Sequence, residues 1–308
     1  MAMLQVDFIN VGYGDAILIH DFEADFNMLI DTGDITTGTP YEGSKRISAA
    51  DFMKERNLHS LDLLVLTHLH RDHSGGLTDL LDDVTVKEFW TNYLPAANYW
   101  GTSHAISAGS DQGATHLQDS MNIYLAALQR LAGQGTAIEQ ITAPHRECQL
   151  TDKLHAAVYL EKEELFKRQA AIWQDVLDDH PDIQALDELD RFINNTSIRM
   201  RLSYGGKSIE LPGDVYAACW QKHSPAACDI VKLPHHGHFD SLTPQLLAML
   251  QPKDVVISVS NDRTDDCPAR QTMSIVTNYG SKLFITDAVS TSDDTPSYHN
   301  AITFNIDG

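Results

Sequence analysis

The sequence predicts an α/β fold in which buried strands alternate with helices. Residues 3–9 alternate apolar and polar side chains, as expected of a strand with one covered face. Residues 61–66 form a nearly continuous apolar run, which is typical of a strand buried on both faces. Residues 48–57 have the apolar spacing of a helix, so strand and helix periodicities alternate along the chain. With 308 residues, 43% of them hydrophobic, the chain is long enough to bury a full core.

The other elements follow in order on either side of a central region. Before it, the sequence predicts strands at residues 15–20, 26–33 and 86–93 and a short helix at 76–84. After it, residues 197–214 read as two strands around a Gly-Gly turn, and further helices and strands follow to the end of the chain.

Residues from about 93 to 192 differ from this pattern. They begin with a loop-like stretch of small and polar residues and continue with helical patterns at 117–135 and 161–192 and a predicted strand at 153–160. We interpret the chain as a single domain, residues 1–308, in which this region is an inserted, mostly helical cap or lid.

Composition and net charge argue against some classes of binding partner. The formal net charge is −21 at pH 7, so the summed field repels long duplex DNA and anionic membranes. The four cysteines form no CxxC pair, no apolar run reaches the roughly 18 residues of a membrane span, and the N-terminal residues lack the pattern of a signal peptide. We therefore expect a cytoplasmic protein without a membrane partner. The sequence gives no indication of an oligomeric state.

The segment THLHRDHSGG, residues 67–76, places three histidines and an aspartate directly after a buried strand. His68 and His70 project to the same side of an extended segment, so they can bind one cation together. Asp72 and His73 follow the bend and can face a second cation next to the first. Imidazole and carboxylate donors suit zinc, manganese, iron or cobalt.

Two further predicted strands end in potential ligands. Asp214 follows Gly213, which leaves room for a close approach, and its carboxylate can bridge two metals. His235 and His236 follow the strand predicted at 229–233. Three strand ends therefore supply donors of the same chemical kind.

These motifs together resemble a known superfamily. The segment THLHRDHSGG matches the HxHxDH motif of the metallo-β-lactamase fold superfamily. The flanking segments are similar to the hydrolase domain of the ComEC/Rec2 competence proteins and its stand-alone relatives: VGYGDAILI, LIDTG, NNTSIRMRL, LPGD, DIVKLPHHG and SKLFITDAVST. The resemblance implies a four-layer αββα sandwich with a metal site at one edge, between the sheets.

The resemblance also implies two divalent metal ions, zinc or manganese, as cofactors. The implied ligands are His68, His70, Asp72, His73, Asp214 and His235. The first two histidines would bind one ion and the next two residues the other, with Asp214 between them. Asp72 and Asp214 are the candidate catalytic residues.

Three other positions extend the implied site. His235 is favoured as the last ligand of the second ion, and His236 is the alternative. Asp31 of the IDTG segment resembles the carboxylate that orients a ligating imidazole in this superfamily. His238 stands where the subgroup often has serine after HHG, and it is a further candidate for contact with substrate or metal.

The chain departs from the superfamily at the first ion. Most members have a third histidine there, whereas this chain has Asn194 and Asn195 at the corresponding place, as the subgroup does. Either the first ion is weakly held or another residue completes the site, and His116 from the central region is one candidate.

The expected function is a metal-dependent hydrolase of the phosphodiesterase or nuclease type, in which a metal-bridged hydroxide attacks a nucleotide, a short single strand or another small phosphodiester. The candidate phosphate contacts are Lys232, Arg71, Arg199 and Arg201. One alternative is a metallohydrolase of esters, thioesters or lactones. A further alternative is a non-catalytic metal-binding interaction module.

Overall fold

The computed structural model describes residues 3–38, 44–105, 112–223, 225–260, 267–287 and 299–308. The strands in these ranges are β1 (Met3–Ile9), β2 (Ile17–Asp21), β3 (Phe26–Ile30), β4 (Ser60–Leu66), β5 (Thr85–Thr91), β6 (Ala137–Gln140), β7 (His145–Gln149), β8 (His155–Tyr159), β9 (Arg199–Tyr204), β10 (Lys207–Leu211), β11 (Ile230–Lys232), β12 (Asp254–Ile257), β13 (Lys282–Ile285) and β14 (Ala301–Asp307). The α-helices are α1 (Ala49–Glu55), α2 (Arg71–Ser74), α3 (Leu77–Asp83), α4 (Gln112–Gln134), α5 (Glu163–Leu177), α6 (Ile183–Phe192), α7 (Ala217–Trp220), α8 (Pro244–Leu250) and α9 (Arg270–Tyr279).

The strands form two sheets of seven. The first sheet has the order β14-β1-β2-β3-β4-β5-β6 and the second the order β13-β12-β11-β10-β9-β8-β7. In the first sheet the pairs from β14 to β3 are antiparallel and the pairs from β3 to β6 are parallel. The second sheet repeats this division, because the pairs from β13 to β10 are parallel and those from β10 to β7 are antiparallel.

The buried apolar side chains form three clusters, one between the two sheets and one beneath the helices on each outer face. Leu64 and Leu66 of β4 pack under helices on the outer face of the first sheet, whereas Leu63 and Val65 of the same strand face the second sheet. This alternation follows from the two-residue period of a strand. Helices α1 and α3 to α6 cover the first sheet, and helices α7 to α9 cover the second with a core around Trp220. The predicted four-layer αββα sandwich is confirmed.

The central region contributes strands to both sheets. It contains the three helices α4 to α6, but its strand β6 extends the first sheet, and β7 and β8 extend the second. Leu117, Met121 and Leu128 of α4 are fully buried in the same core as β4. Of the three strands, the sequence patterns predict only β8, because β6 and β7 are short edge strands with many polar side chains.

No helix among the described residues is long and apolar enough to cross a lipid bilayer.

We expect the central region and the sandwich to unfold together. Leu128→Ala removes a fully buried side chain from the shared core and should lower the free energy of unfolding by about 2–5 kcal/mol. Urea denaturation followed by far-UV circular dichroism should show one transition that shifts as a whole, and the exposed neighbour Gln129→Ala should leave it in place. Two transitions, of which only one responds to Leu128→Ala, would show that the region folds separately.

Candidate metal centre

The predicted ligands lie at the edge of the sandwich where strands of both sheets end. β3 and β4 are parallel neighbours in the first sheet, and β10 and β11 are parallel neighbours in the second. Because neighbouring parallel strands end on the same side, the residues that follow them meet in one crevice. Asp31 follows β3, His68 follows β4, Asp214 follows β10 and His236 follows β11.

Two glycines allow the backbone to come this close. Gly14 has a φ of +89°, and a Cβ atom there would lie only 1.6 Å from the carbonyl oxygen of Asp72. Gly213 has a φ of +57°, and a Cβ atom would lie 2.7 Å from Cβ of Ser197. A larger residue at either position would push apart the segments that hold the ligands.

His73 lies between two carboxylates. Its Nδ1 atom is 2.8 Å from Oδ2 of Asp31, and its Nε2 atom is 3.2 Å from Oδ2 of Asp214. Asp31 is itself fixed by Thr67, whose amide and hydroxyl both donate to it, at 2.8 and 2.7 Å. Asp31 therefore lies next to the ring of a candidate ligand, where a carboxylate can orient an imidazole.

Asp214 is fully buried and has contacts in several directions. Its Oδ2 atom faces His73 and also lies 3.3 Å from Nε2 of His236. Its Oδ1 atom accepts a hydrogen bond from the backbone amide of His235 at 2.8 Å and from Nζ of Lys232 at 3.2 Å. This carboxylate thus touches residues from both sheets.

The contacts favour His236 over His235 as the candidate ligand. His236 is fully buried, and its Nε2 atom lies 2.9 Å from Oδ2 of Asp72, while its Nδ1 atom faces the carbonyl oxygen of Ser258 at 2.9 Å. The side chain of His235 points outward to Asp240, at 2.8 Å. The two rings point in different directions because the backbone is left-handed at both residues, with φ of +47° at His235 and +52° at His236. This turn directs the ring of His236 inward.

Lys232 does not have the position of a phosphate contact. It is fully buried, and its ammonium group binds the carboxylates of Asp15 and Asp214 beneath the ligands. Its role in the structure is to balance buried negative charge.

The three candidate arginines are also paired with acidic side chains. Arg71 lies 2.8 Å from Asp34 and 3.4 Å from Asp119. The other two arginines lie on β9: Arg199 is 3.7 Å from Glu161 and Arg201 is 2.5 Å from Glu210. Each of them therefore has an acidic partner within the protein.

The donor atoms present fit divalent metal ions. Donors on one tetrahedral ion, with bonds of about 2.0–2.1 Å, lie about 3.3 Å apart. The distances from Asp214 to His73 and His236, 3.2 and 3.3 Å, match that spacing. Nε2 of His68 is buried without a hydrogen-bond partner in the described part of the chain, which leaves a lone pair for a metal. Four groups of donor atoms within 4.8 Å of one another share these residues: His68, His73 and Asp214; Asp72, His73 and His236; Asp15, Asp31 and His73; and Asp15, Asp214 and His236.

Electrostatics distinguish the histidines. Burial alone would lower the pKa of His236, but the carboxylates of Asp214 and Asp72 outweigh burial and raise the pKa to about 9. Burial lowers the pKa of His68 well below its ordinary value, and the neighbouring His73 adds to the effect. Without a metal, His236 is therefore protonated at neutral pH and His68 is neutral. Metal binding has to displace the proton of His236, whereas His68 is already in its ligating form.

The asparagine pair lies in a 3-10 turn at Ile193–Thr196, after α6. Oδ1 of Asn195 accepts a hydrogen bond from the amide of Tyr216 at 3.1 Å. Nδ2 of Asn194 donates to the Tyr216 hydroxyl at 3.3 Å, and Oδ1 of Asn194 is buried without a hydrogen-bond partner among the described residues. His116 on α4 is half-buried and belongs to none of the donor groups found in the described ranges.

His238 lies outside the main cluster. Together with His235 and Asp240 it forms a separate, partly exposed group at the rim of the crevice. The sequence motifs did not indicate Asp240, nor Ser197, whose hydroxyl lies 3.2 Å from Nδ1 of His68. In the sequence, Ser197 is distinguished by its position directly after Asn194-Asn195-Thr196.

The architecture and this edge site define the class of the protein: the chain has the metallo-β-lactamase fold. The solved structure of the metallo-β-lactamase fold protein YhfI from Bacillus subtilis covers 99% of this chain and 100% of its own, with a TM-score of 0.52 and 10% identity. A structure of CmlA beta-hydroxylase covers 99% of this chain and 54% of its own, with a TM-score of 0.51 and 12% identity. No family model matches the sequence.

Among curated proteins, the chain is similar to ComE operon protein 3 of Bacillus subtilis (strain 168). The two are 21% identical over an alignment of 296 residues, which covers 92% of this chain and 32% of that protein. The chain therefore spans about a third of the length of this relative. The similarity agrees with the resemblance to ComEC/Rec2 proteins seen in the sequence motifs.

Asp31→Asn should weaken zinc binding about 10–100-fold, because the amide cannot hold His73 in its ligating orientation as the carboxylate does. Competition with a chromophoric chelator measures this affinity. Asp62→Asn, on β4 but paired at the surface with Lys87, is the control and should bind zinc as the unchanged protein does. An unchanged affinity in Asp31→Asn would contradict the assigned role.

His236→Ala should lose zinc from the second site, because it removes the imidazole that faces Asp72 and Asp214. His235→Ala should retain the full metal content, because its side chain points to Asp240. Elemental analysis of both variants after reloading with zinc measures the difference. The reverse pattern would restore His235 as the ligand.

Proposed function

We propose that this chain is a metal-dependent hydrolase. The observation that supports this most directly is the convergence of imidazole and carboxylate groups from both sheets, at the spacing of metal donors, around the buried and unpaired Nε2 atom of His68. His68 would hold one ion together with His70, which the resemblance implies and which belongs to none of the donor groups found in the described ranges. Asp72, His73 and His236 would hold the other, with Asp214 between the two ions.

Two divalent ions in such a site supply Lewis acidity to a phosphoryl or acyl oxygen and make water acidic enough to react near neutral pH. The protein's own residues arrange the site. Asp31 and Thr67 orient His73, and Lys232 balances the buried carboxylates of Asp15 and Asp214. The Asp72 side chain is 21% exposed, so the second site faces the open side of the crevice, from which a substrate would approach.

For the substrate we propose a phosphodiester, such as a nucleotide or a short single strand. The motifs that resemble the hydrolase domain of the ComEC/Rec2 proteins support this class. The net charge of −21 favours small substrates over long duplex DNA, because the field of the whole chain repels a polyanion.

A second candidate is hydrolysis of carboxylic esters, thioesters or lactones. One observation favours it: the four cationic side chains that the sequence suggested as phosphate contacts all have acidic partners. A neutral substrate would not need an unpaired cation in the crevice, since the metal ions alone can polarise its carbonyl group.

Turnover of model substrates should separate these possibilities. Protein stripped of metal and reloaded with zinc or manganese should hydrolyse bis(p-nitrophenyl) phosphate faster than p-nitrophenyl acetate or a simple lactone. Asp72→Asn and Asp214→Asn should each reduce the rate at least about 100-fold, because each removes a donor whose loss costs more than that of an outer partner. Asp62→Asn, at the surface of β4, should keep full activity.

Faster turnover of the acetate or lactone would assign the second candidate. No turnover of any of the three substrates by protein that holds both ions would contradict catalysis and leave a metal-binding interaction module.

A further inference from the structure

The first metal site lacks the third histidine that the superfamily resemblance implies, and helix α6 places a carboxylate beside it. Oδ1 of Asp190 lies 3.5 Å from Nε2 of His70. Asp190 belongs to the central region of the chain, far from the HxHxDH segment in sequence. The residues next to it in the sequence form no metal-binding motif, so the sequence alone does not indicate it as a ligand.

The two histidines of this site have open nitrogen atoms. Nε2 of His68 and Nε2 of His70 are both buried and have no hydrogen-bond partner among the residues that the structure describes. His68 is fully buried, and the hydroxyls of Thr67 and Ser197 lie 3.1 and 3.2 Å from its Nδ1 atom, so that its Nε2 atom is the one left for a metal. The rings of His68 and His70 are 5.0 Å apart between centroids. An unpaired buried nitrogen is costly unless a ligand satisfies it.

We propose that Asp190 is the third protein ligand of the first metal ion, in the place of the missing histidine. This inference rests on the proposed metal-dependent function. Two imidazoles and one carboxylate are a donor set that zinc accepts at catalytic sites, with a further position left open. The 3.5 Å between His70 and Asp190 is longer than a good hydrogen bond and close to the roughly 3.3 Å between two donors of one tetrahedral ion.

Helix α6 holds Asp190 in this position. Leu186 and Leu189 are fully buried in the core of the first sheet, which fixes the rotation of the helix. The nearest cation on the helix, Arg191, is paired with Asp187 at 2.5 Å on the outer surface. Asp190 therefore faces the crevice without competition from Arg191.

The two asparagines are weaker candidates for this ligand. Asn195 uses its side-chain oxygen to accept from the Tyr216 amide. Asn194 has a buried oxygen without a hydrogen-bond partner in the described ranges, but it is a neutral amide, which suits zinc less well than a carboxylate does. Asn194 is the rival that an experiment has to separate from Asp190.

The test is zinc binding to the metal-free 308-residue chain, measured by chelator competition and by elemental analysis after dialysis. The unchanged protein should bind two zinc ions. Asp190→Asn should keep one ion and bind the other at least about 100-fold more weakly, a larger loss than removal of an outer partner causes.

Asp190→Glu should restore much of this affinity. Asp187→Asn, one turn away and paired at the surface, should match the unchanged protein. The far-UV spectra and melting temperatures of the metal-free variants should agree, since the Asp190 side chain is 40% exposed.

Cobalt gives a second readout that a purely structural role would not change. The visible absorption of the cobalt-loaded chain should lose intensity in Asp190→Asn and not in Asp187→Asn, because one ion loses a donor.

Two results would overturn the inference: Asp190→Asn binds both zinc ions as tightly as the unchanged protein, or Asn194→Ala loses the first ion while Asp190→Asn keeps it. An unchanged protein that binds fewer than two ions would also overturn it. If the zinc results are as expected but no ester is hydrolysed, the proposed hydrolase function fails and the assignment of Asp190 stands.

Discussion

The arrangement of the site depends on the buried carboxylate of Asp214. A buried charge is tolerated only when charged or hydrogen-bonding partners surround it. Asp214 has four such partners: the side chains of Lys232, His73 and His236, and the backbone amide of His235. These partners lie at or after the ends of β4 and β11, and Asp214 itself follows β10, so satisfying this one group requires both sheets to meet at a fixed distance. The same contacts place the histidine nitrogens at the spacing of metal donors.

The sequence predicted the fold, and it indicated the candidate residues that follow β4, for reasons that are local. Strand and helix periodicities are properties of short segments, and the metal-binding segment from His68 to His73 is a single run of residues after one strand. The rule that neighbouring parallel strands end on one side then brought Asp214 and the paired histidines to the same edge. Asp31 could be included because the resemblance attached a role to its segment.

The remaining features depend on backbone conformation and on contacts between distant residues. His235 and His236 are adjacent and chemically identical, and only two left-handed φ values decide which ring enters the site. Such values cost of the order of 1–3 kcal/mol each, and no residue type in the segment signals them except Gly237. Lys232 looks like a phosphate contact in the sequence, because its burial against Asp15 becomes visible only when the two sheets are stacked. The polar edge strands β6 and β7 have no apolar alternation for a pattern to detect.

The division of the donors between the two sheets has a consequence for how the protein folds. The HxHxDH segment belongs to the first sheet, and Asp214 and His236 belong to the second. A folding intermediate with one sheet formed would have an incomplete set of donors and little affinity for a metal ion. Metal would therefore stabilise the completed sandwich by mass action, without nucleating it. Its effect would fall on the rate at which the two sheets separate, and the rate at which they first come together would depend on the apolar faces between them.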